Sequence, residues 1–304
     1  MPEKSGKFEL SSTEYAALLP KRPHDAHKGD FGSCLIIAGS TQYMGAALLT
    51  AKAALRSGVG LVHLMGSNTW TQQVITAFPE LIYHELEMPK GCFEVSHSES
   101  VQQVINAHNI RSLAIGPGLG RSEESSVFLR TIMPLCQQVP NGIVLDADAL
   151  YLLTLSGVAA LETDVVVTPH PKEAADFFDL DKPSTDEARL RFVEMALKGW
   201  SHTLVLKGSR TLIAQKREEG APAIVTNPSG NSGLATAGSG DVLTGLIAGL
   251  MCQGQRGFES ACLGVYCHGR AAQLAESQLS QRSLVASDIL HYLGATFLEL
   301  EKSI

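Results

Sequence analysis

Short apolar runs alternate along the chain with longer segments whose apolar residues recur at helical spacing. Most of the short runs are β-branched or leucine-rich on both faces, as in strands buried between two helical layers. The alternation predicts an α/β fold with a mainly parallel central sheet and helices on both faces. The predicted strands are 33–38, 60–64, 112–115, 142–145, 164–167 and 203–206.

The longer segments give the helices, and two stretches depart from the alternation. Predicted helices cover 45–56, 123–137, 186–198 and 258–278, and Ser287 is expected to cap a last helix with Asp288 in its first turn. Residues 207–226 are typical of short strands joined by a charged turn, a meander rather than a βαβ unit. Residues 85–99 carry little pattern and are interpreted as an excursion or an oligomer contact.

Size and composition narrow the class of protein. The 304 residues, 44% of them hydrophobic, favour one large α/β domain over residues 1–304. The net charge is −7, so the chain has no excess of basic residues for binding phosphate backbones, and nucleic acid is not an expected partner. Six cysteines without a CxxC pair indicate reduced thiols, and we find neither a signal peptide nor an apolar run of about 18 residues. We therefore expect a soluble cytoplasmic protein without a membrane segment.

The segment 231–251, NSGLATAGSGDVLTGLIAGLM, carries the strongest chemical signal. Its glycine loop lets a ligand approach the main chain, and the helix behind it begins with unpaired N–H groups that suit a phosphate. Asp241 places a carboxylate beside that position, where it could accept a proton from a substrate hydroxyl. The alternative is that Asp241 only caps the helix.

Polar and glycine-rich loops follow the other predicted strands. In an open parallel sheet such loops meet at one edge, where ligands bind, so together they predict an active site. For each residue a structural role is the alternative: helix packing for Ala46, an ordinary turn for Gly118, an N-cap for Asp148, a solvated side chain for Lys207. The loop residues singled out are Ala46, Gly118, Asp146, Asp148, His170, Glu173, Lys207 and Gly208.

Seven segments of the chain, and the order in which they occur, resemble those of the NAD(P)H-hydrate dehydratases. The segments are HKGDFGSCLIIAGS, YMGAALLTAKAALRSGVGLVHL, AIGPGLG, VLDADAL, VTPHPKEAADF, VLKGSRTLIA and NPSGNSGLATAGSGDVLTGLIAGL. The resemblance covers about residues 28–298, and the TPHPKE and AGSGD segments are its most specific part. It implies a ribokinase-like fold. It also implies the bacterial stand-alone form, which uses ADP where eukaryotic enzymes use ATP, works beside a separate epimerase and assembles as a homotetramer.

The resemblance implies a hydro-lyase that dehydrates the S-epimer of NADH hydrate and NADPH hydrate. The ring hydroxyl is phosphorylated by ADP, giving AMP, and phosphate is then eliminated. Asp241 is the implied catalytic base, and Mg²⁺ is implied without assigned protein ligands. The implied substrate contacts are Ala46, Gly118, His170 and Asp241, and the implied contacts to the AMP portion are Lys207, Gly208, Ser209, Arg210, Thr211 and Gly240.

Two alternatives remain open from the residues. A small-molecule kinase of the same fold, acting on a vitamin precursor or a sugar, would use the same glycine loop and aspartate. A nucleotide-binding sensor without catalysis would need the loop but not Asp241. The segment order favours the dehydratase, and the role of Arg210, which is larger than the residue found there in many relatives, is undecided.

Overall fold

A single mixed sheet organises residues 6–303, the part of the chain that the computed structural model describes. The ten strands of this part are β1 Gly6–Phe8, β2 Ser33–Ile37, β3 Leu61–Ser67, β4 Ile82–Leu86, β5 Ile110–Ile115, β6 Ile143–Leu145, β7 Val165–Val167, β8 Thr203–Leu206, β9 Leu212–Gln215 and β10 Ala223–Thr226. They are ordered β1-β10-β9-β8-β7-β6-β5-β2-β3-β4. Only β9 among them runs antiparallel to its neighbours, β8 and β10.

Helices connect most of the strands. They are α1 Ser12–Ala16, α2 Met44–Arg56, α3 Thr71–Ala77, α4 Ser98–Ala107, α5 Glu123–Cys136, α6 Asp148–Leu152, α7 Leu155–Ala159, α8 Pro171–Phe178, α9 Asp186–Ala196, α10 Ser239–Cys252, α11 Gly257–Glu276 and α12 Ala286–Glu301. Single 3₁₀ turns form at Lys28–Phe31, Asn68–Trp70, Val95–His97 and Ser232–Leu234. Within residues 6–303, no helix has both the length and the apolar character that crossing a membrane requires.

Two hydrophobic cores lie on the two faces of the sheet. Along each central strand the side chains alternate between them: Ile36 packs in one core and Leu35 in the other. Helices α2, α10, α11 and α12 cover the first face, and α4, α5, α8 and α9 cover the second. Burial on both faces explains why the strands are apolar throughout instead of alternating with polar residues.

Close packing of α10 on α2 fixes where α10 begins. A Cβ at Gly245 would overlap the carbonyl oxygen of Thr50, and a Cβ at Gly249 would overlap the Ser57 side chain. Glycine is therefore needed at both of these contacts between α10 and α2, because any larger residue would push the two helices apart. The start of α10 is thus held beside the first turn of α2.

The structure confirms the α/β prediction, the six predicted strands and the meander, which is formed by β9 and β10. The four predicted helices are also present, with ends within two residues of those expected. The prediction that Ser287 caps the last helix is wrong. Ser287 lies inside α12, whose N-cap is Val285, although Asp288 does accept a hydrogen bond from the Val285 N–H (2.9 Å). The stretch 85–99 holds the end of β4, a loop with a 3₁₀ turn and the start of α4, and its interpretation as an excursion or an oligomer contact stays a prediction.

Candidate functional site

The loops that leave the carboxyl ends of neighbouring parallel strands meet at one edge of the sheet. Asp146 follows β6, His170 lies just beyond β7, and Lys207 follows β8. The start of α10 reaches this edge from the first face of the sheet, so Asp241 joins residues that are distant in the sequence. The predicted convergence at one edge is confirmed.

Asp241 lies in the first turn of α10 but does not cap it. The N-cap is Gly238 in a left-handed conformation (φ 85°), and it bends the loop into the helix. Burial is the largest cause that raises the pKa of Asp241 to about 6, and the neighbouring Asp146 carboxylate raises it further, whereas Lys207 opposes the shift. At neutral pH the group is a carboxylate with more proton affinity than an ordinary aspartate has. Such a group suits a general base.

Asp146 and Lys207 form the ion pair at the centre of the site. The Asp146 carboxylate is 1% exposed, and it accepts hydrogen bonds from Lys207 Nζ (2.8 Å) and Thr244 Oγ1 (2.7 Å). Burial alone would lower the pKa of Lys207, but the surrounding carboxylates of Asp146, Glu173 and Asp241 raise it above its usual value. The lysine stays charged and can face a phosphate.

Gly240, in the first turn of α10, lies beside this pair. A Cβ on Gly240 would lie 3.4 Å from Lys207 Nζ and 3.6 Å from Asp146 Oδ2. The structure therefore brings together Gly240 and Lys207, two of the predicted nucleotide contacts. The first N–H groups of α10 lie next to the ammonium group, which is a suitable arrangement for an anion.

Ala46 and Gly118 lie against each other, although 72 positions of the sequence separate them. Gly118 has a left-handed conformation (φ 66°), and a Cβ there would lie 3.0 Å from the Ala46 Cβ and 2.7 Å from the Tyr43 Cβ. On the same helix, Leu49 packs against the position that a Cβ of Gly238 would occupy. The first two turns of α2 thus link the GPGLG loop to the start of α10.

His170 is the N-cap of α8. Its Nδ1 accepts hydrogen bonds from the N–H groups of Lys172 and Glu173 (3.1 Å each), and the Glu173 carboxylate accepts from the His170 N–H (2.9 Å). With Nδ1 accepting, the proton of the neutral ring lies on Nε2. His170 Nε2 lies 3.4 Å from Glu173 Oε1, and the His170 side chain is half exposed, so the ring can contact a ligand while it caps the helix.

The loop Lys207–Thr211 is held from beneath by Arg189, which the sequence analysis missed. Arg189 in α9 is 7% exposed and donates to the carbonyl oxygens of Leu206 (3.1 Å) and Lys207 (3.3 Å). A Cβ on Gly208 would lie 2.5 Å from Arg189 Nη2. An arginine inside a polar helix start gives no sequence signal of this role.

Arg210 extends away from this loop to form an ion pair with Glu9. Both side chains are about half exposed. The pairing gives Arg210 a partner within the chain, in the N-terminal segment that leads out of β1.

Two further residues complete the site. Asp148 is not an N-cap, because Ala147 precedes α6 with φ 50°, and Asp148 accepts hydrogen bonds from the Gly120 N–H (2.9 Å) and Arg121 Nε (2.8 Å). His268 in α11 donates from Nε2 to the Ser239 carbonyl oxygen (2.9 Å), and burial lowers its pKa to about 4. His268, which the sequence analysis also missed, is thus a neutral support for the start of α10.

The chain is similar to known proteins over almost its whole length. Residues 34–294 match the family described as NAD(P)H-hydrate dehydratase. A bifunctional NAD(P)H-hydrate repair enzyme from Moorella thermoacetica is 36% identical over 94% of this chain and 53% of its own length. An ADP-dependent (S)-NAD(P)H-hydrate dehydratase from Neisseria meningitidis is 36% identical over 88% of this chain and 86% of its own length.

The fold also has solved counterparts. The ADP/ATP-dependent NAD(P)H-hydrate dehydratase from Bacillus subtilis, co-crystallised with ATP/Mg²⁺, superposes with a TM-score of 0.80 at 28% identity, covering 96% of this chain and 98% of that one. The match confirms the predicted ribokinase-like α/β architecture. The chain spans about half the length of the bifunctional relatives that it matches.

Proposed function

Since the chain belongs to the NAD(P)H-hydrate dehydratase family, we propose that it repairs NADH and NADPH whose nicotinamide ring has taken up water. The proposed enzyme is a hydro-lyase that dehydrates the S-epimers of NADH hydrate and NADPH hydrate. ADP is the proposed phosphate donor and becomes AMP. The name of the relative from N. meningitidis, which is ADP-dependent and acts on the S form, supports both choices.

The observation that carries this proposal is the placement of Asp241 in the first turn of α10, with a pKa raised to about 6. The Asp241 carboxylate takes the proton of the ring hydroxyl, and the hydroxyl oxygen forms a bond to the terminal phosphorus of ADP while the bond to AMP breaks. Phosphate then leaves with that oxygen, a proton leaves the adjacent ring carbon, and the ring double bond is restored. Phosphorylation is needed because hydroxide is a poor leaving group.

The N-terminus of α10 and Lys207 are suited to stabilise the phosphoryl group during transfer. We propose that the hydrate lies against Ala46, Gly118 and His170, whose side chain is half exposed. The proposed contacts of the AMP portion are Lys207, Gly208, Ser209, Arg210, Thr211 and Gly240. Since Arg210 is paired with Glu9, its proposed contribution is the smallest of this set.

The carboxylates around Lys207 fit a magnesium–nucleotide complex. Asp146 already accepts hydrogen bonds from Lys207 and Thr244, so it is better placed to accept from water on the ion than to bind the ion directly. We propose that phosphate oxygens and water supply most ligands, as Mg²⁺ prefers, and that Asp146 and Glu173 orient the water. When bound, the ion neutralises charge on the transferring phosphate.

The kinase alternative is not favoured. A kinase would leave the phosphate on its product, whereas the family match over residues 34–294 is to dehydratases. The sensor alternative has no use for the raised proton affinity of Asp241.

Four broader parts of the proposal concern the whole protein. We propose that residues 1–304 form one domain, which the continuous sheet and the family match support. We propose a functional partnership with an NAD(P)H-hydrate epimerase, supported by the bifunctional relatives. A cytoplasmic location and a homotetramer are proposed from the family resemblance, and light scattering of the purified protein tests the tetramer.

The experiment is recovery of absorbance at the reduced-nicotinamide band. Chemically prepared NADH hydrate and NADPH hydrate are each mixed with protein and Mg²⁺, with ADP or ATP supplied separately. We expect recovery with ADP, together with release of one phosphate and one AMP per NADH formed. A phosphorylated product that persists, with no recovered absorbance, would instead establish a kinase.

A further inference from the structure

Three histidines meet at the edge of the sheet opposite to the candidate site. His63 lies near the amino end of β3, His84 lies beside it on β4, and His108 follows α4 just before β5 begins. One ring nitrogen of each lies within 4.8 Å of the others, and His63 Nδ1 is 2.9 Å from His84 Nε2. The three rings come from three different elements, and the proposed reaction uses none of them.

The cluster is built into the fold. His63 is fully buried, and the backbone of Asn109 (φ 48°) ends α4 so that His108 reaches the other two rings. Asparagine tolerates this left-handed conformation better than most residues. His108 is exposed, so the cluster is open to solvent on one side only.

The rings also act on one another electrostatically. Burial lowers the pKa of His63 to about 4 and lowers that of His84, and the neighbouring imidazoles lower both further.

We propose that His63, His84 and His108 bind a divalent transition-metal ion, with Zn²⁺ as the expected ion and water as a fourth ligand. Imidazole suits Zn²⁺, Cu²⁺ and Ni²⁺, whereas Mg²⁺ prefers oxygen ligands. This site is therefore chemically distinct from the proposed nucleotide site.

The distances are compatible with tetrahedral coordination after small movements. Zn–N bonds of about 2.0–2.1 Å at tetrahedral angles place two nitrogens roughly 3.3 Å apart. The His63–His84 pair, at 2.9 Å, must open by a few tenths of an ångström, and the exposed His108 ring must approach. The bound ion would tie β4, the last strand of the sheet, to β3 and to the α4–β5 turn.

The experiment uses the full chain without an affinity tag, stripped with a chelator and then kept in Mg²⁺ and ADP to occupy the proposed active site. Zn²⁺ is titrated against a chromophoric competitor, and Co²⁺ is added separately to record its visible spectrum. We expect one equivalent of bound Zn²⁺ and intense tetrahedral Co²⁺ bands. His108→Ala should weaken binding at least about 100-fold, since loss of even an indirect ligand contact commonly costs 10–100-fold.

His108 is chosen because its exposed side chain can be removed without disturbing the core, and His291→Ala is the matched control because His291 is also exposed. The Tm should rise with Zn²⁺ in the wild-type protein and in His291→Ala, but not in His108→Ala. His84→Gln should also lose the tetrahedral Co²⁺ bands. If His108→Ala binds Zn²⁺ as tightly as the wild type, or if neither protein binds it, the proposal is overturned and the three rings are a packing cluster.

Discussion

The two edges of the sheet bury titratable groups with opposite results. At the carboxyl edge, Lys207 remains charged because carboxylates surround it. At the amino edge, burial lowers the pKa of His63 and His84, and the neighbouring imidazoles lower it further. Burial penalises charge at both edges, so the neighbours decide whether the charge survives. The carboxyl edge therefore keeps a cation that can face a phosphate, whereas the histidines of the amino edge are uncharged.

The largest expected effect is that of Asp241→Asn. The amide cannot accept the hydroxyl proton, so turnover should fall about 10²–10⁴-fold while nucleotide binding persists. Absorbance recovery measures turnover, and calorimetry measures ADP binding. Glu123→Gln is the control, because Glu123 also lies in the first turn of a helix but its side chain is 79% exposed and pairs with Arg130. Unchanged turnover in Asp241→Asn would remove this residue from the base role.

Lys207→Met tests whether the lysine charge stabilises the buried Asp146 carboxylate at the carboxyl edge of the sheet. The substitution leaves the Asp146 carboxylate buried without its cation, and we expect the free energy of unfolding to drop by about 2–4 kcal/mol. Urea denaturation measures the change. The double variant Lys207→Met/Asp146→Asn should recover much of the loss, and Lys172→Met, at an exposed lysine, should have little effect. A double variant no more stable than Lys207→Met alone would contradict the ion-pair explanation.

Lowering the pH should change the contributions of the two edges to the free energy of unfolding in opposite directions. His63 has a folded-state pKa of about 4, below its unfolded value of 6.5, so its contribution is complete above pH 6.5 and is lost as the pH falls toward 4. The folded-state pKa of Asp241, about 6, lies above its unfolded value of 3.8. Its contribution is complete below pH 3.8 and is lost as the pH rises through 6. The expected sizes are about 3 kcal/mol for His63 and about 2 kcal/mol for the less buried Asp241.

Unfolding free energies measured between pH 7.5 and 5 test this opposition. His63→Gln should lose less stability on acidification than the wild type, and Asp241→Asn should lose more while being the more stable protein at pH 7.5. His291→Gln is the control and should follow the wild type. Parallel pH profiles for all four proteins would mean that neither edge responds as stated.

Separately, kcat/KM should decline as the pH falls below about 6, because the base becomes protonated.

A smaller effect separates close packing from backbone strain in the GPGLG loop. Gly118 and Gly120 both have positive φ angles (66° and 78°), but only at Gly118 would a Cβ meet neighbours, at Tyr43 and Ala46. Gly120→Ala should cost about 1–2 kcal/mol from strain alone. Gly118→Ala should cost about 1–3 kcal/mol more and raise KM for the hydrate. Equal losses of stability would show that contact with α2 contributes nothing.

The smallest expected effect is that of Arg210→Ala. Its ion pair with Glu9 is about half exposed, and such pairs contribute about 0–1 kcal/mol. Stability and the Kd for ADP should change little, whereas Lys207→Met should weaken ADP binding strongly. A loss of ADP affinity in Arg210→Ala as large as that in Lys207→Met would show that Arg210 leaves Glu9 to contact the nucleotide.

Much of the candidate site could be predicted because its parts are local. A glycine loop before an apolar helix indicates an anion site wherever it occurs, and polar loops after buried strands indicate the carboxyl edge of a sheet. The prediction for Asp148 failed for a tertiary reason: its carboxylate binds Gly120 and Arg121, from a loop 27 or more positions away. Arg189 and His268 were missed since each lies in an ordinary helix and acts on the backbone of another element.

The sequence by itself determined the fold class, six of the strands and four of the helices, and the position of Asp241 at a glycine-rich helix start. These features depend on periodicity and on backbone preferences within a few residues. Only the tertiary structure decided that Asp146 meets Lys207, 61 positions away, that Arg210 pairs with Glu9, and that three histidines without a common motif share one edge. The physical reason is that charge, pKa and ligand geometry depend on distances in space, and packing sets those distances.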